Sequence, residues 1–158
     1  MPERSVTHAT IVVERIYDAS PARVFAAWAD PAVKLHWFAG PDDWELGDYE
    51  LDFRVGGRER ISGRPPGGPV HIYDAIYRDI VPDQRIVLTY DMSLDKTRIS
   101  VSLATVELKP VAAGTRLTYT EQGAYLDGHE VSDLREQGMG TLLDALGAEL
   151  RDAPRKAR

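Results

Sequence analysis

Few residues in this chain have the type and spacing to support chemistry, and Arg135 has the most unusual predicted position. The apolar period of segment 127–150 predicts a helix in which Arg135 falls between Leu134 and Leu142, inside the apolar face. A guanidinium there must pair with an acid or reach water. The favoured interpretation is an internal ion pair, with Glu121 as candidate partner, or a side chain that extends past the helix end. The alternative is a hook for a ligand anion or carbonyl group.

Three tyrosines give a second polar feature. Tyr73, Tyr90 and Tyr119 each fall on one face of a segment that alternates like a strand. A buried tyrosine needs a hydrogen-bond partner for its hydroxyl. Three of them facing inward fit a wet or ligand-filled cavity better than a dry core.

Aromatic and aliphatic residues near these groups complete a candidate ligand site between a sheet and the long helix. Each of them also suits an ordinary core position, and Met at a helix–sheet contact commonly fills gaps. The helix glycine Gly138 is predicted to point inward and to leave space for a pocket, whereas Gly140 and Gly147 are predicted to face outward. The candidate ligand-binding residues are Trp37, Phe38, Phe53, Tyr73, Tyr90, Tyr119, Glu121, Arg135, Met139, Leu142 and Leu146.

No motif of a known catalytic or metal site is present in the sequence. The four histidines, His8, His36, His71 and His129, lack metal-ligand spacing, and there is no GxSxG or glycine-rich phosphate loop. The absence of cysteine excludes thiolate catalysis and disulfides. We therefore predict no catalytic residue, no metal and no cofactor, and the question of enzyme activity stays open, with a non-enzyme favoured.

Length and charge narrow the class of protein. The 158 residues with 43% hydrophobic content suit one domain, 1–158, with a core at about 10–150 and a frayed tail at 151–158. A net charge of -6 argues against nucleic acid or an anionic membrane as the partner. No signal peptide or membrane-spanning run is visible, so a cytoplasmic location is expected.

The order of predicted elements is one strand, two short helices, about six strands and one long helix. Ser20 and Asp30, each followed by proline, are typical helix N-caps, and Asp127 is the candidate cap of the last helix. Short alternating segments with tight turns predict an antiparallel meander, hence an α+β fold. Strands are predicted at 9–17, 44–55, 58–63, 70–81, 84–92, 98–108 and 115–123.

The order and spacing of several segments resemble one known family. Between about Thr10 and Leu150 the chain is similar to the START-like, or SRPBCC, superfamily, in the branch named for the heat-shock protein 90 ATPase activator homologue. The resemblance implies a helix-grip fold: a curved antiparallel sheet of about six or seven strands around a long C-terminal helix, with two short helices after the first strand. The segments are ERIYDASPARVFAAWADP, HWFAGP, DFRVGGRER, YRDIVPDQRI, GTRLTYTEQG and REQGMGTLLDALGAEL.

The resemblance also implies an apolar pocket between sheet and helix. Together with the tyrosines and Gly138, it favours non-catalytic binding of a small apolar or amphipathic molecule. Two alternatives stay open: an enzyme of the cyclase, aromatase or hydrolase type that uses the same pocket, and a chaperone-cofactor-like protein interaction. Edge strands make either a monomer or a homodimer compatible with the sequence.

Overall fold

One seven-stranded antiparallel sheet forms the frame of the molecule. The computed structural model describes residues 3–156, and within them three helices accompany the sheet. This arrangement, with a curved sheet and a long C-terminal helix, confirms the predicted α+β helix-grip fold. The strands are β1 (Val6–Tyr17), β2 (Glu45–Leu51), β3 (Arg58–Arg64), β4 (His71–Val81), β5 (Arg85–Leu94), β6 (Thr97–Val111) and β7 (Gly114–Leu126).

The strand order is β1-β7-β6-β5-β4-β3-β2, and every neighbouring pair is antiparallel. Consecutive strands are neighbours from β2 to β7, as expected for a meander, and β1 pairs along its whole length with β7. The inward face of the sheet carries the core because side chains alternate along each strand. On β6, for example, Ala104, Val106 and Leu108 are buried whereas Leu103 is 39% exposed.

The two short helices begin where the Ser-Pro and Asp-Pro pairs predict. In α1 (Pro21–Ala29) the Ser20 side chain accepts a hydrogen bond from the Arg23 amide at 3.2 Å. In α2 (Pro31–Phe38) the Asp30 carboxylate accepts one from the Ala32 amide at 3.0 Å. Because each cap satisfies an otherwise unpaired amide, both boundaries follow from local chemistry.

The long helix α3 runs from Ser132 to Lys156 and starts five residues later than predicted. Asp127 does not cap it: this residue lies in the preceding turn at φ 57° and accepts a hydrogen bond from the Ser5 amide at 2.9 Å. The chain leaves β7 at Leu126 and needs several residues to reverse direction. The helix also continues past the predicted end at Leu150, so the predicted tail 151–158 lies partly on α3, and residues 157 and 158 lie outside the described residues.

The predicted buried face of α3 is confirmed in its later turns and wrong at its start. Val131 and Leu134 fit the apolar period of segment 127–150, which predicts them to be buried, but each is 59% exposed. The residues that are buried in the core are Met139, Leu143, Leu146 and Leu150.

Gly138 borders a pocket, as predicted, but the other two helix glycines face opposite to their predicted directions. Gly138 has open space around it, whereas a Cβ on Gly147 would lie 3.3 Å from the Tyr17 ring and one on Gly140 would lie 3.0 Å from the Arg15 guanidinium. The outward assignment of Gly140 and Gly147 was therefore wrong. Both let α3 approach β1 closely, and Tyr17 fixes that contact by donating a hydrogen bond to the Leu143 carbonyl at 2.8 Å.

The two environments predict different effects of the same substitution. Gly138→Ala should raise the free energy of unfolding by roughly 0.5–1 kcal/mol, because alanine favours the helix and its methyl group meets nothing within 4 Å. Gly147→Ala should gain less or lose stability, since its methyl group presses on Tyr17. Urea unfolding of both variants measures the difference, and equal gains would contradict the assigned faces.

Candidate functional site

A pocket of about 820 Å³ lies between the middle strands of the sheet and the N-terminal half of α3. Strands β4, β5 and β6 form its floor, and α2 with the loop 39–44 forms one wall. All three tryptophans of the chain, Trp28, Trp37 and Trp44, are among its lining residues. Aliphatic side chains such as Leu88, Met92, Leu94, Ile99 and Leu142 complete a mainly apolar surface.

Most of the predicted ligand-binding residues lie on this pocket, and three do not. Phe53 packs on Phe25 and Tyr77 at ring distances of 5.5 and 5.0 Å, away from the pocket. Leu146 is fully buried in the core, and Glu121 lies behind the lining residues. Those on the pocket are Trp37, Phe38, Tyr73, Tyr90, Tyr119, Arg135, Met139 and Leu142.

Arg135 is held by a complete set of internal acceptors. Its Nη1 donates to the Tyr90 hydroxyl at 2.7 Å and to Glu121 Oε2 at 2.9 Å. Its Nη2 donates to Ser100 Oγ at 2.8 Å and to Glu130 Oε1 at 2.7 Å, and Nε donates to Glu130 Oε2 at 2.8 Å. These contacts use all five N–H groups of a guanidinium. The internal ion pair with Glu121 that the sequence favoured is therefore present.

Glu121 is equally saturated and has no exposed surface. Its Oε1 accepts hydrogen bonds from the hydroxyls of Tyr90 at 2.8 Å and Tyr119 at 2.6 Å. Its Oε2 accepts from Ser102 at 2.7 Å and from Arg135. A buried carboxylate is tolerable only with such compensation. The carboxylate therefore orders the inner side of the pocket and has no free lone pair for a ligand.

A second buried ion pair, which sequence reasoning missed, lies behind the aromatic wall of the pocket. Lys34 on α2 and Glu59 on β3 are both completely buried, with Nζ 2.8 Å from Glu59 Oε1. The same oxygen accepts a hydrogen bond from the Tyr77 hydroxyl at 2.6 Å, and Tyr49 donates to the other oxygen at 3.3 Å. The spacing of Lys34 with Trp37 and Phe38 on one helical face was the available signal.

Aromatic rings surround the Lys34 ammonium group. Nζ lies 4.4 Å from the ring centre of Phe38 and 5.0 Å from that of Trp28, which favours the cation through the negative ring faces. Burial nevertheless lowers the pKa of Lys34, and Glu59 offsets part of this shift. For Arg135, burial also opposes the charge, but the hydrogen bond to Glu130 and the neighbouring negative groups outweigh it and raise the pKa.

Three histidines lie on the pocket, a grouping that sequence spacing did not reveal. His71 packs against Trp44 at a ring distance of 4.7 Å, and burial lowers its pKa. His36 Nδ1 lies 3.2 Å from Glu149 Oε2, and His129 belongs to the turn before α3.

Among the described residues no group of three histidine or acidic side chains could hold a metal ion. Within the same part of the chain no helix has the length and apolarity needed to span a membrane.

The comparison with protein families identifies the chain. Residues 18–151 match the family described as activator of Hsp90 ATPase homolog 1-like protein. The chain belongs to this family. Through it, the protein is a member of the START-like, or SRPBCC, superfamily, as the resemblance implied. Among curated proteins, none matches this sequence.

Several solved structures share the fold of this chain over most of its length. An uncharacterized protein from Rhizobium leguminosarum is 46% identical and superposes with a TM-score of 0.90, over 94% of this chain and 98% of that one. A protein from Rhizobium loti is 49% identical, with a TM-score of 0.85 over 92% and 99% of the two chains. The AHSA1-like protein from Aeromonas hydrophila shares 18% identity and a TM-score of 0.70, over 92% and 94% of the chains, which supports the fold alone.

Arg135 and its partners Glu121, Glu130, Tyr90 and Ser100, called the Arg135 cluster below, lead to a stability prediction. Arg135→Leu should lower the free energy of unfolding by about 3–5 kcal/mol, because it leaves Glu121 charged, buried and without its cation. The double variant Arg135→Leu/Glu121→Gln should lose less than the sum of the single variants. Denaturant unfolding measures the cycle.

The matched control for this cycle is Arg85→Leu. Arg85 is 51% exposed and pairs with Asp79 at 2.6 Å, so this change should cost at most about 1 kcal/mol. Similar losses for Arg135→Leu and Arg85→Leu would show that Arg135 is not the structural cation described above.

The tyrosines lead to a pH prediction. Burial raises the pKa of all seven of them, that of Tyr125 to about 12. The folded protein therefore retains protons that the unfolded chain releases near pH ~10, so stability is full below that pH and falls as the pH rises beyond it. We expect tyrosinate absorbance to appear together with the loss of helical circular dichroism. Tyrosinate absorbance that grows near pH ~10 while the helical signal persists would contradict this.

Proposed function

We propose that this protein binds a small, largely apolar molecule non-covalently in the pocket between the sheet and α3. The observation that carries the proposal is an apolar, tryptophan-rich pocket of about 820 Å³. This volume falls within the range of about 300–1,000 Å³ that is typical of small-molecule sites. The START-like fold, with its long helix against a curved sheet, is compatible with this use.

The internal pairing of the charged groups favours binding over catalysis. A general acid or base must reach a reacting atom of the substrate. The Arg135 guanidinium and the Glu121 carboxylate are instead bonded to each other and to neighbouring hydroxyls, and Lys34 and Glu59 are fully buried. An enzymatic role would have to use other polar groups on the pocket, such as His36, His71 and His129. A chaperone-cofactor role rests on the family description alone.

Binding of a neutral fluorescent probe tests the proposal. N-phenyl-1-naphthylamine brightens in apolar surroundings, and we expect saturable brightening with this protein. All three tryptophans line the pocket, so their emission should change over the same concentration range. Gly138→Phe should abolish both signals, because Gly138 borders the pocket and has open space where the new side chain would project.

The matched control is Gln137→Phe, which adds the same ring to the adjacent, exposed position of α3, outside the pocket lining. It should bind the probe like the parent protein, and both variants should retain a cooperative thermal transition. Absence of probe binding by the parent protein, or equal binding by Gly138→Phe, would overturn the proposed function.

A further inference from the structure

We propose that the pocket selects a neutral, ring-containing ligand with one hydrogen-bonding oxygen, that the Tyr73 hydroxyl anchors this oxygen, and that the Arg135 cluster excludes carboxylates. This inference rests on the proposed function and assigns the chemical class of the ligand. It reverses the reading of Arg135 as an anion hook that the sequence left open.

The exclusion of anions follows from the charge balance at Arg135. One guanidinium faces two carboxylates, Glu121 and Glu130, so the cluster carries one net negative charge when all three groups are ionised. All five N–H groups of Arg135 are already donated, so an incoming carboxylate finds no free donor there. An anion beside Arg135 would therefore meet uncompensated like charge, which disfavours it.

The polar anchor follows from comparing the three tyrosines on the pocket. Tyr90 and Tyr119 commit their hydroxyls to Glu121. Tyr73 forms no hydrogen bond within the described residues. Its hydroxyl nevertheless reaches solvent, because only Trp28 Nε1 and the Tyr125 hydroxyl are both unbonded and sealed among the side chains of those residues. It is thus a free donor and acceptor on the pocket surface. A ligand oxygen that bonds to it would satisfy a group that is otherwise left without a partner.

The surroundings of Tyr73 favour rings. Its own ring lies 5.0 Å from Phe38 and 4.7 Å from Tyr90. Trp28, whose indole N–H is sealed and unbonded, also lines the pocket and supplies further aromatic surface. Planar hydrophobic groups gain from contact with such aromatic walls. The ligand class is therefore a neutral ring compound with a carbonyl or hydroxyl oxygen, such as an aryl ketone.

Three probes with one scaffold test this selectivity by displacement of N-phenyl-1-naphthylamine: diphenylmethane, benzophenone and 4-benzoylbenzoate. Benzophenone should bind roughly threefold to tenfold more tightly than diphenylmethane, because its carbonyl accepts the Tyr73 hydrogen bond. The carboxylate 4-benzoylbenzoate should bind more weakly than benzophenone by about tenfold or more.

Two variants test separately the hydrogen bond from Tyr73, called the anchor, and the exclusion of carboxylates by the Arg135 cluster, called the charge filter. Tyr73→Phe should reduce the ratio of benzophenone to diphenylmethane affinity to about one, since only the hydroxyl is lost. Glu130→Gln should improve 4-benzoylbenzoate binding relative to benzophenone, because it removes the excess negative charge while retaining an acceptor for Arg135. Glu136→Gln is the matched control: it removes the same charge from an exposed position on α3 and should leave all three affinities unchanged.

The outcomes distinguish this inference from the proposed function. If the parent protein does not bind N-phenyl-1-naphthylamine, the proposed function itself fails. If it binds that probe but takes 4-benzoylbenzoate as tightly as benzophenone, the charge filter is overturned. If Tyr73→Phe weakens diphenylmethane and benzophenone by the same factor, Tyr73 contributes shape rather than a hydrogen bond, and the anchor is overturned.

Discussion

Two buried ion pairs fix the helices of this protein to its sheet. Arg135 ties the start of α3 to Glu121 on β7, and Lys34 ties α2 to Glu59 on β3. The pocket interrupts apolar packing between these helices and the middle strands, so directional contacts must define their positions. Buried pairs are costly to desolvate, and removing one partner is more costly still. The spacing of the pocket walls therefore depends on these charges staying paired.

The same pairing determines what the pocket can do. The sequence contains residue types that suggest chemistry: an arginine, glutamates and several tyrosines. Most of their polar groups instead bond to one another at the pocket walls. Because these charges are paired, none of Arg135, Glu121, Lys34 and Glu59 is available to a ligand. What faces the space is aromatic and aliphatic surface with the Tyr73 hydroxyl as a polar point. Apolar surface with a few polar points is typical of small-molecule sites.

Local signals in the sequence predicted the frame well and the long-range pairing poorly. The caps at Ser20 and Asp30 and the alternating strands are short-range features, and the structure confirms them. The predicted face of α3 was wrong at its start, because Val131 and Leu134 fit the helical period but are exposed. Periodicity reports which residues share a face and does not report where the opposing layer ends.

The two ion pairs also show that periodicity does not reveal which distant residues meet. Arg135 stood out because it interrupts an apolar face, and Glu121 shares the inward parity of Tyr119 on β7. For Lys34 the signal was weaker: it shares a helical face with Trp37 and Phe38, but lysines are almost always exposed. Its burial depends on Glu59, which shares the inward parity of Ile61 on β3 and pairs with Lys34 across the interface of α2 with the sheet. Recognising that pair required the tertiary arrangement of α2 over the sheet.

Tyr73 connects the two halves of the pocket, and this position links binding to stability. Its ring contacts Tyr90, which bonds to the Arg135 cluster, and Phe38, which covers the Lys34 ammonium group. An apolar ligand beside Tyr73 would replace solvent in the pocket with apolar surface, next to the rings that cover both ion pairs. Lower local polarity strengthens paired charges and penalises separated ones. Occupancy of the pocket would therefore tighten the contacts that hold α2 and α3 in place, so the ligand would act as part of the core.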